Sequence, residues 1–192
     1  MTSDMSRMRL FFALPADGAD GPLRPVHERL AAFPRLLKPV TPGLYHITLK
    51  FLGETDAEVC RRLREAVRKL DPGIAAQPYA MKGLGAFPGL RRPRVIWCGL
   101  DLDAGALARL QRSIEELCAV HGFKNESRQF TPHLTLARVR TDARLPEELT
   151  RFMTENGATV YGESRFERIV LFKSELRREG PVYTALEEIR LG

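Results

Sequence analysis

The alternation of apolar and polar positions predicts a chain that mixes strands and helices. Short apolar runs indicate strands at residues 8–14, 44–52, 79–84, 94–100, 129–139, 165–173 and 182–188, with another strand-like position at Tyr161. Apolar residues spaced by three and four positions indicate helices at residues 22–37, 59–70, 107–120 and 146–154. The pattern favours an α+β fold with strands and helices in both halves of the chain.

Several residues predict where these elements begin and end. Pro34 is expected to break the last turns of the first helix. Thr55 and Glu58 have the spacing of a capping box at the start of the second helix, and Gly122 suits the end of the third. Residues 85–93, rich in Gly and Pro, are expected to link two strands. No Ser- or Gly-rich linker divides the chain, so we expect residues 1–192 to form a single domain.

One segment recurs in the second half of the chain. Residues 43–50 (GLYHITLK) and 130–137 (FTPHLTLA) share the tetrapeptide His-x-Thr-Leu, which begins at His46 and again at His133. The two histidines are 87 residues apart, nearly half of the 192-residue chain. This separation is too long for a solenoid repeat, and it predicts two pseudo-symmetric lobes that face each other.

The tetrapeptides have a composition that suits phosphodiester cleavage. Residues i and i+2 of a strand share a face, so His46 projects with Thr48, and His133 projects with Thr135. Cleavage by in-line attack needs a base and an acid on opposite sides of the phosphorus. Imidazole can serve in either role near neutral pH, and the two hydroxyls can donate hydrogen bonds to the phosphate oxygens.

A cation would add to this stabilisation, and two residues are candidates. Arg138 can bind phosphate bidentately, but strict alternation puts it on the face opposite His133. It reaches the site only if the strand ends or bulges near Ala137. Lys50 has the correct parity relative to His46 and is the alternative.

Other chemistries are less well supported by the sequence. Neither tetrapeptide has a nearby His, Cys, Asp or Glu at ligand spacing, so we expect no metal and no cofactor. No Ser or Cys lies in an elbow-like turn. His27 and His121 fall within predicted helices and have no comparable context, which favours structural or solvent-facing roles.

Composition narrows the compartment and the partners. The formal charge of +6 and the isoelectric point near 9.5 favour polyanions such as RNA or nucleotides, although a solvated basic surface would give the same values. The three cysteines form no C-x-x-C pair, and no apolar stretch has the length of a membrane span. We therefore expect a cytoplasmic protein, monomeric and without a membrane partner.

The two tetrapeptides with their flanks resemble the paired H-x-T motifs of the 2H phosphoesterase superfamily. The similarity is greatest to the RNA 2′,3′-cyclic phosphodiesterases, also called 2′-5′ RNA ligase-like proteins. It extends over residues 9–15 (RLFFALP), 85–97 (GAFP, then PRVIW) and 171–176 (LFKSEL), with Gly180 and Tyr183 beyond. The resemblance therefore covers most of the chain.

The resemblance implies a bilobal α+β fold in which antiparallel sheets line a central cleft and helices lie outside. It also implies metal-independent hydrolysis of a terminal 2′,3′-cyclic phosphate, on RNA or a nucleotide, to a 2′-phosphate. His46 would be the general acid and His133 the base, while Thr48, Thr135 and Arg138 would hold the phosphate.

Two further functions stay open at the level of the sequence. Some members of the family join or cleave 2′-5′ linkages, and the motifs do not separate this activity from hydrolysis of a cyclic end. A non-catalytic RNA-binding module would use the same basic charge, including Arg91, Arg92 and Arg94. The matched His–Thr pairs favour the enzyme, because binding alone does not require them.

Overall fold

A computed structural model of the chain describes residues 7–71, 73–127, 130–140, 144–177 and 180–192. Its elements follow one another in the order β1 (Met8–Pro15), α1 (Asp20–Ala31), β2 (Leu37–Pro39), β3 (His46–Thr55), α2 (Ala57–Val67), β4 (Gln77–Phe87), β5 (Val95–Leu102), α3 (Ala104–Val120), β6 (His133–Val139), α4 (Glu147–Glu155), β7 (Val160–Phe166), β8 (Arg168–Leu176) and β9 (Pro181–Arg190). None of the helices in these ranges could cross a membrane.

The strands form two antiparallel sheets. Sheet A has four strands in the order β3-β1-β8-β9, so the first strand of the chain lies inside the sheet, between β3 and β8. Sheet B has five strands in the order β2-β6-β5-β4-β7. The sheets meet where β3 contacts β6. The expected α+β fold with two lobes is confirmed.

The two sheets repeat one arrangement. The order β3-β1-β8-β9 of sheet A corresponds to β6-β5-β4-β7 of sheet B, and β2 is an extra edge strand beside β6. In each sheet, the strand that begins with a tetrapeptide histidine pairs with a strand from the preceding part of the chain, β1 or β5. The duplication inferred from the two tetrapeptides therefore extends to the pairing of the strands.

The helices are exchanged between the halves of the chain. α1 follows β1 of sheet A but packs against β2 and β7 of sheet B, whereas α3 follows β5 of sheet B but packs against β3 of sheet A. α2 contacts β9 and α4 contacts β4. α1 buries Leu23, Val26 and Leu30, which are the part of its predicted apolar stripe that lies within the helix. Neither lobe is continuous in sequence.

Some predicted boundaries are wrong. α1 ends at Ala31 rather than at residue 37, and the chain turns at Phe33, whose carbonyl accepts hydrogen bonds from the N–H groups of Leu36 and Leu37. Leu37 then enters β2, a strand that the sequence did not predict. Proline at position 34 explains the early end of the helix, because it restricts the residue before it to extended backbone.

The predicted capping box is also wrong. Thr55 belongs to β3 and its hydroxyl donates to the carbonyl of Gly53, while Asp56 is the N-cap residue of α2. Glu58 pairs with Arg61 instead. β4 continues through residues 85–87 of the predicted link, and β6 begins at His133 rather than at residue 129, which lies outside the described residues.

Candidate active site

The two tetrapeptides occupy equivalent places in the two sheets. His46 is the first residue of β3 and pairs with Pro15, and His133 is the first residue of β6 and pairs with Gly99. Because β3 contacts β6, the sheets bring both strand starts to the junction between the lobes. When His133 is protonated, its charge adds to the lowering of the pKa of His46, so the two imidazoles are within electrostatic reach of each other.

Both imidazoles are held by the same hydrogen bond. The Nδ1 atom of His46 lies 2.7 Å from the carbonyl oxygen of Leu44, and that of His133 lies 2.7 Å from the carbonyl oxygen of Thr131. A carbonyl only accepts, so each Nδ1 carries a hydrogen and donates it. Each Nε2 atom is then the nitrogen that can take or release a proton. This arrangement fixes the tautomer and the orientation that acid–base chemistry requires.

Aromatic rings support each histidine. His46 packs on Phe11 with ring centroids 5.3 Å apart, and Tyr183 meets it edge-on at 5.5 Å. His133 meets Phe87 edge-on at 4.9 Å. Trp97 packs on Phe87 in turn at 5.3 Å. These contacts restrict the rotation of the imidazoles, as a precise site requires.

Gly85 allows Trp97 to reach this position. The two residues lie opposite each other in the β4–β5 pair, and a Cβ atom at residue 85 would lie 2.2 Å from the indole ring. Only glycine leaves this space free. The glycine of the predicted link therefore helps to support His133, through Trp97 and Phe87.

The threonine hydroxyls are available to a ligand. Thr48 and Thr135 lie two residues after their histidines and are partly exposed. In the part of the chain that the structure describes, neither hydroxyl makes a side-chain hydrogen bond that would occupy it. Both can donate to an oxygen placed between the two strands.

A β-bulge follows the threonine in each strand. Thr48 pairs with Ala13 and Lys50 with Phe12, so Leu49 is the extra residue. In β6, Thr135 pairs with Trp97 and Ala137 with Ile96, so Leu136 is the extra residue. Each bulge buries two consecutive side chains and reverses the parity of the residue that comes directly after them, Phe51 in β3 and Arg138 in β6.

The bulge brings Arg138 to the face of His133. Strict alternation would have put Arg138 on the opposite face, and the sequence predicted that it reaches the site only if the strand ends or bulges near Ala137. Arg138 is exposed, and its charge acts on both imidazoles, at His46 and at His133. The structure thus gathers the two histidines and one arginine around the junction, with the threonines on the same strands.

The equivalent bulge in β3 removes Lys50 from the site, so the alternative cation predicted from the sequence is wrong. Lys50 is buried, and its Nζ donates to the carboxylate of Glu115 on α3 and to the carbonyl of Lys124, the latter at 2.9 Å. The position in β3 that corresponds to Arg138 is Phe51, which is 60% exposed. Only the half-site of β6 therefore carries a cation at this position.

Burial lowers the pKa of both histidines. Desolvation is the main cause at His46 and at His133, since the imidazolium loses more hydration than the neutral ring. The carbonyl hydrogen bonds oppose this shift, and the positive charge of Arg138 adds to it. In the free protein near pH 7, both rings are mostly neutral.

Sequence reasoning assigned no part in the site to Phe11, Phe87 or Tyr183. These aromatic residues lie in segments that the sequence analysis noted, but an apolar run does not distinguish an aromatic residue that faces the cleft from one in the core. The other two histidines lie elsewhere: His27 on α1 is 3.4 Å from the hydroxyl of Tyr45, and His121 is the C-cap residue of α3.

The described residues offer few groups for metal or thiol chemistry. Among the described residues, no cluster of three or more His, Cys, Asp or Glu side chains could hold a metal ion. The three cysteines are free and buried, and burial raises the pKa of the Cys98 thiol to about 12. A thiol with this pKa supplies almost no thiolate near neutral pH.

Comparison with known proteins gives consistent results. The family model described as the 2′-5′ RNA ligase superfamily matches residues 27–178. A curated relative from Aeropyrum pernix, named RNA 2′,3′-cyclic phosphodiesterase, is 35% identical over 154 residues, which cover 80% of this chain and 86% of the relative.

Solved structures extend the similarity to the fold. A protein of Thermus thermophilus has 30% sequence identity and a TM-score of 0.73, with 96% of this chain and 98% of that chain covered. Escherichia coli LigT complexed with 3′-AMP has 25% identity and a TM-score of 0.72, with the same coverage of both chains.

Proposed function

Because this chain belongs to the 2′-5′ RNA ligase superfamily, we propose that it hydrolyses the 2′,3′-cyclic phosphate ends of RNA or nucleotides to 2′-phosphates. The observation that carries the proposal is the pair of equivalent half-sites, each with an imidazole whose Nδ1 is fixed and whose Nε2 is free. The name of the Aeropyrum pernix relative and the nucleotide bound to LigT support the substrate class.

The reaction uses one histidine on each side of the phosphorus. His133 Nε2 takes a proton from water as the water oxygen bonds to phosphorus. The bond between phosphorus and the 3′-oxygen breaks, and His46 Nε2 gives its proton to that oxygen. The product carries a 2′-phosphate and a free 3′-hydroxyl, and solvent returns both imidazoles to their starting protonation states.

The surroundings of the histidines support this assignment of roles. His46 lies between Phe11 and Tyr183, where it can protonate a leaving oxygen out of contact with bulk water. His133 is less buried than His46, which favours it as the base that activates water. Since burial lowers the pKa of His46, protonation of its ring depends on the negative charge of the bound phosphate.

Thr48, Thr135 and Arg138 stabilise the transition state. The two hydroxyls donate to the non-bridging oxygens from opposite strands, and the guanidinium neutralises their developing charge. All donors come from protein side chains, so the reaction needs no metal. Both half-sites come from one chain, and we include in the proposal a single bilobal domain that acts as a monomer in the reducing cytoplasm.

A direct test measures turnover of a nucleoside 2′,3′-cyclic phosphate and of an oligoribonucleotide with the same end, with and without EDTA. We expect a 2′-phosphate product and equal rates with the chelator. His46→Ala and His133→Ala should each lower kcat by at least about 100-fold.

The matched control is His121→Ala, which removes an imidazole from the end of α3 and should keep the wild-type rate. Normal turnover in either active-site variant would refute the two-histidine mechanism. RNA binding with no product from the wild-type chain would instead identify a binding module, and loss of activity with EDTA would contradict metal independence.

A further inference from the structure

A row of cations borders the active site along the outer edge of sheet B. We call Lys38, Arg138 and Arg140 the basic edge. Lys38 lies on β2, the edge strand, and pairs directly with Arg138 on β6. Residues opposite each other in an antiparallel pair share a face, so Lys38 stands beside Arg138 on the face of the cleft.

Arg140 continues the row beyond the end of β6. Its backbone N–H donates to the carbonyl of Leu36, so the pairing with the neighbouring strand persists to this residue. Its side chain crosses β2, and its Nε donates to the carbonyl of Leu37 at 3.1 Å. This bond holds the guanidinium at the sheet edge, and Arg140 as a whole is exposed.

The basic edge differs from the other arginine-rich surface of the protein. On α2, Arg61 binds Glu58 and Glu65. Arg64 of α2 and Arg68, its C-cap residue, share Glu187. Within the described ranges, no carboxylate lies within 4.0 Å of Lys38, Arg138 or Arg140. The arginines of this other surface are neutralised by carboxylates of the protein, whereas no carboxylate of the described residues pairs with the basic edge.

We propose that the basic edge binds the phosphodiester backbone of the nucleotides that precede the cyclic end of a single-stranded RNA. This inference rests on the proposed function. A 2′,3′-cyclic phosphate terminates its strand, so the RNA can continue only toward its 5′ side. Arg138 grips the cyclic phosphate, and Lys38 and Arg140 contact the next phosphates as the strand leaves the cleft.

The sequence of β2 argues against a polypeptide as the ligand of the basic edge. An open edge can bind another β-strand through backbone hydrogen bonds, but Pro39 removes a donor from this three-residue strand. Arg140 also uses the outward carbonyl of Leu37. With the backbone blocked and the side chains cationic, the edge suits a polyanion.

The test compares substrates of different length. The wild-type enzyme and a Lys38→Gln/Arg140→Gln variant are assayed with a nucleoside 2′,3′-cyclic phosphate and with a ten-residue single-stranded RNA that has the same end. We expect the ratio of kcat/KM for RNA over mononucleotide to fall by about tenfold, the loss of two exposed ionic contacts, mainly through KM.

A binding measurement tests the same surface without turnover. Fluorescence anisotropy with a labelled ten-residue RNA ending in a 2′-phosphate is followed against salt concentration. The slope of log Kd against log salt should decrease by about 1.4, since each single-strand phosphate contact contributes about 0.7. Lys38→Arg with native Arg140 should retain the wild-type slope.

The matched control is Arg109→Gln/Arg112→Gln, which removes the same charge from the exposed side of α3. An equal decrease of slope in this control, or an unchanged slope and substrate ratio in the edge variant, would overturn the inference. These outcomes leave cyclic mononucleotide turnover by the wild type intact. Absence of that turnover would count against the proposed function alone, because the binding assay does not depend on it.

Discussion

The half-sites on β3 and β6 have the same backbone and different charges. Each begins with a histidine tied to a carbonyl, continues with a threonine and bulges at the following leucine. After the bulge the side chains diverge. β3 has buried Lys50 and exposed Phe51, and β6 has buried Ala137 and exposed Arg138.

This difference shows that the backbone sets the geometry of the two half-sites, whereas their side chains set the charge. The duplicated backbone gives two imidazoles with equivalent orientations, which alone would make their roles interchangeable. The single exposed cation and the unequal aromatic surroundings remove that equivalence. In the proposed mechanism, a phosphate between the strands would meet the guanidinium of Arg138 on the β6 side and aromatic rings on the β3 side.

Changing the leaving group of the substrate should have the largest effect in distinguishing the acid role of His46 from the base role of His133. With a cyclic phosphate, His46→Ala and His133→Ala each lose about 10²–10⁴-fold in kcat. With a nucleoside 4-nitrophenyl phosphodiester, whose leaving group needs no proton, His46→Ala should lose far less and His133→Ala should lose as much as before. Equal losses on both substrates would mean that the roles are exchangeable.

Lys50 tests the buried side of the comparison. Lys50→Ala leaves Glu115 charged and without its cation in the core, and it should lower the free energy of unfolding by about 3–5 kcal/mol. Urea unfolding measures the change. Lys69→Ala, at an exposed position, should stay within about 0.5 kcal/mol of the wild type. A stability near wild type for Lys50→Ala would show that the ion pair does not hold β3 to α3.

Arg138 and Phe51 test the exposed side at matched positions. Arg138→Ala should lower kcat/KM by about 100-fold, as loss of a donor to a developing oxyanion does, because the guanidinium acts on the phosphate. Phe51→Ala, after the equivalent bulge, should lower it by less than about tenfold, since the phenyl ring supplies no charge. Similar losses in both variants would remove the electrostatic asymmetry from the explanation.

The smallest effect concerns protonation. Arg138→Gln removes a positive charge that disfavours both imidazolium ions, so the pKa values of His46 and His133 should rise toward the ordinary value. NMR titration of the imidazole resonances measures this, and the acid limb of the kcat/KM profile should move to higher pH. Unchanged titration curves would place Arg138 too far away to act.

The sequence predicted the positions of the two His–Thr pairs better than it predicted the residues around them. Periodicity located β3 and β6, and the repeat located His46 and His133, because these signals are local. Strict alternation placed Lys50 on the wrong face of β3, because a bulge depends on how a strand pairs with its neighbour. Within the sequence of one strand, a bulge leaves only a weak signal. Leu136 followed by Ala137 was that signal, two consecutive core side chains in β6.

The sequence could not predict that α1 packs against sheet B and α3 against sheet A. α1 and α3 each have a clear apolar stripe, but a stripe does not say which of two similar sheets it will cover. The short strand β2 also escaped prediction, because three residues carry no period. Its place beside β6, which creates the basic edge, follows from tertiary packing alone.

The position of β1 inside sheet A also affects how the protein is made. A ribosome releases β1 long before its partner β8, which spans Arg168–Leu176 and is separated from β1, in the described part of the chain, by six strands and four helices. Until that segment emerges, one edge of β1 is unpaired and the support of His46 by Phe11 and Tyr183 cannot form. A nascent chain therefore has no complete candidate site until β8 and β9 have both been released, and the chemistry proposed for the two histidines arises only after that point, beside a ribosome that is itself largely RNA.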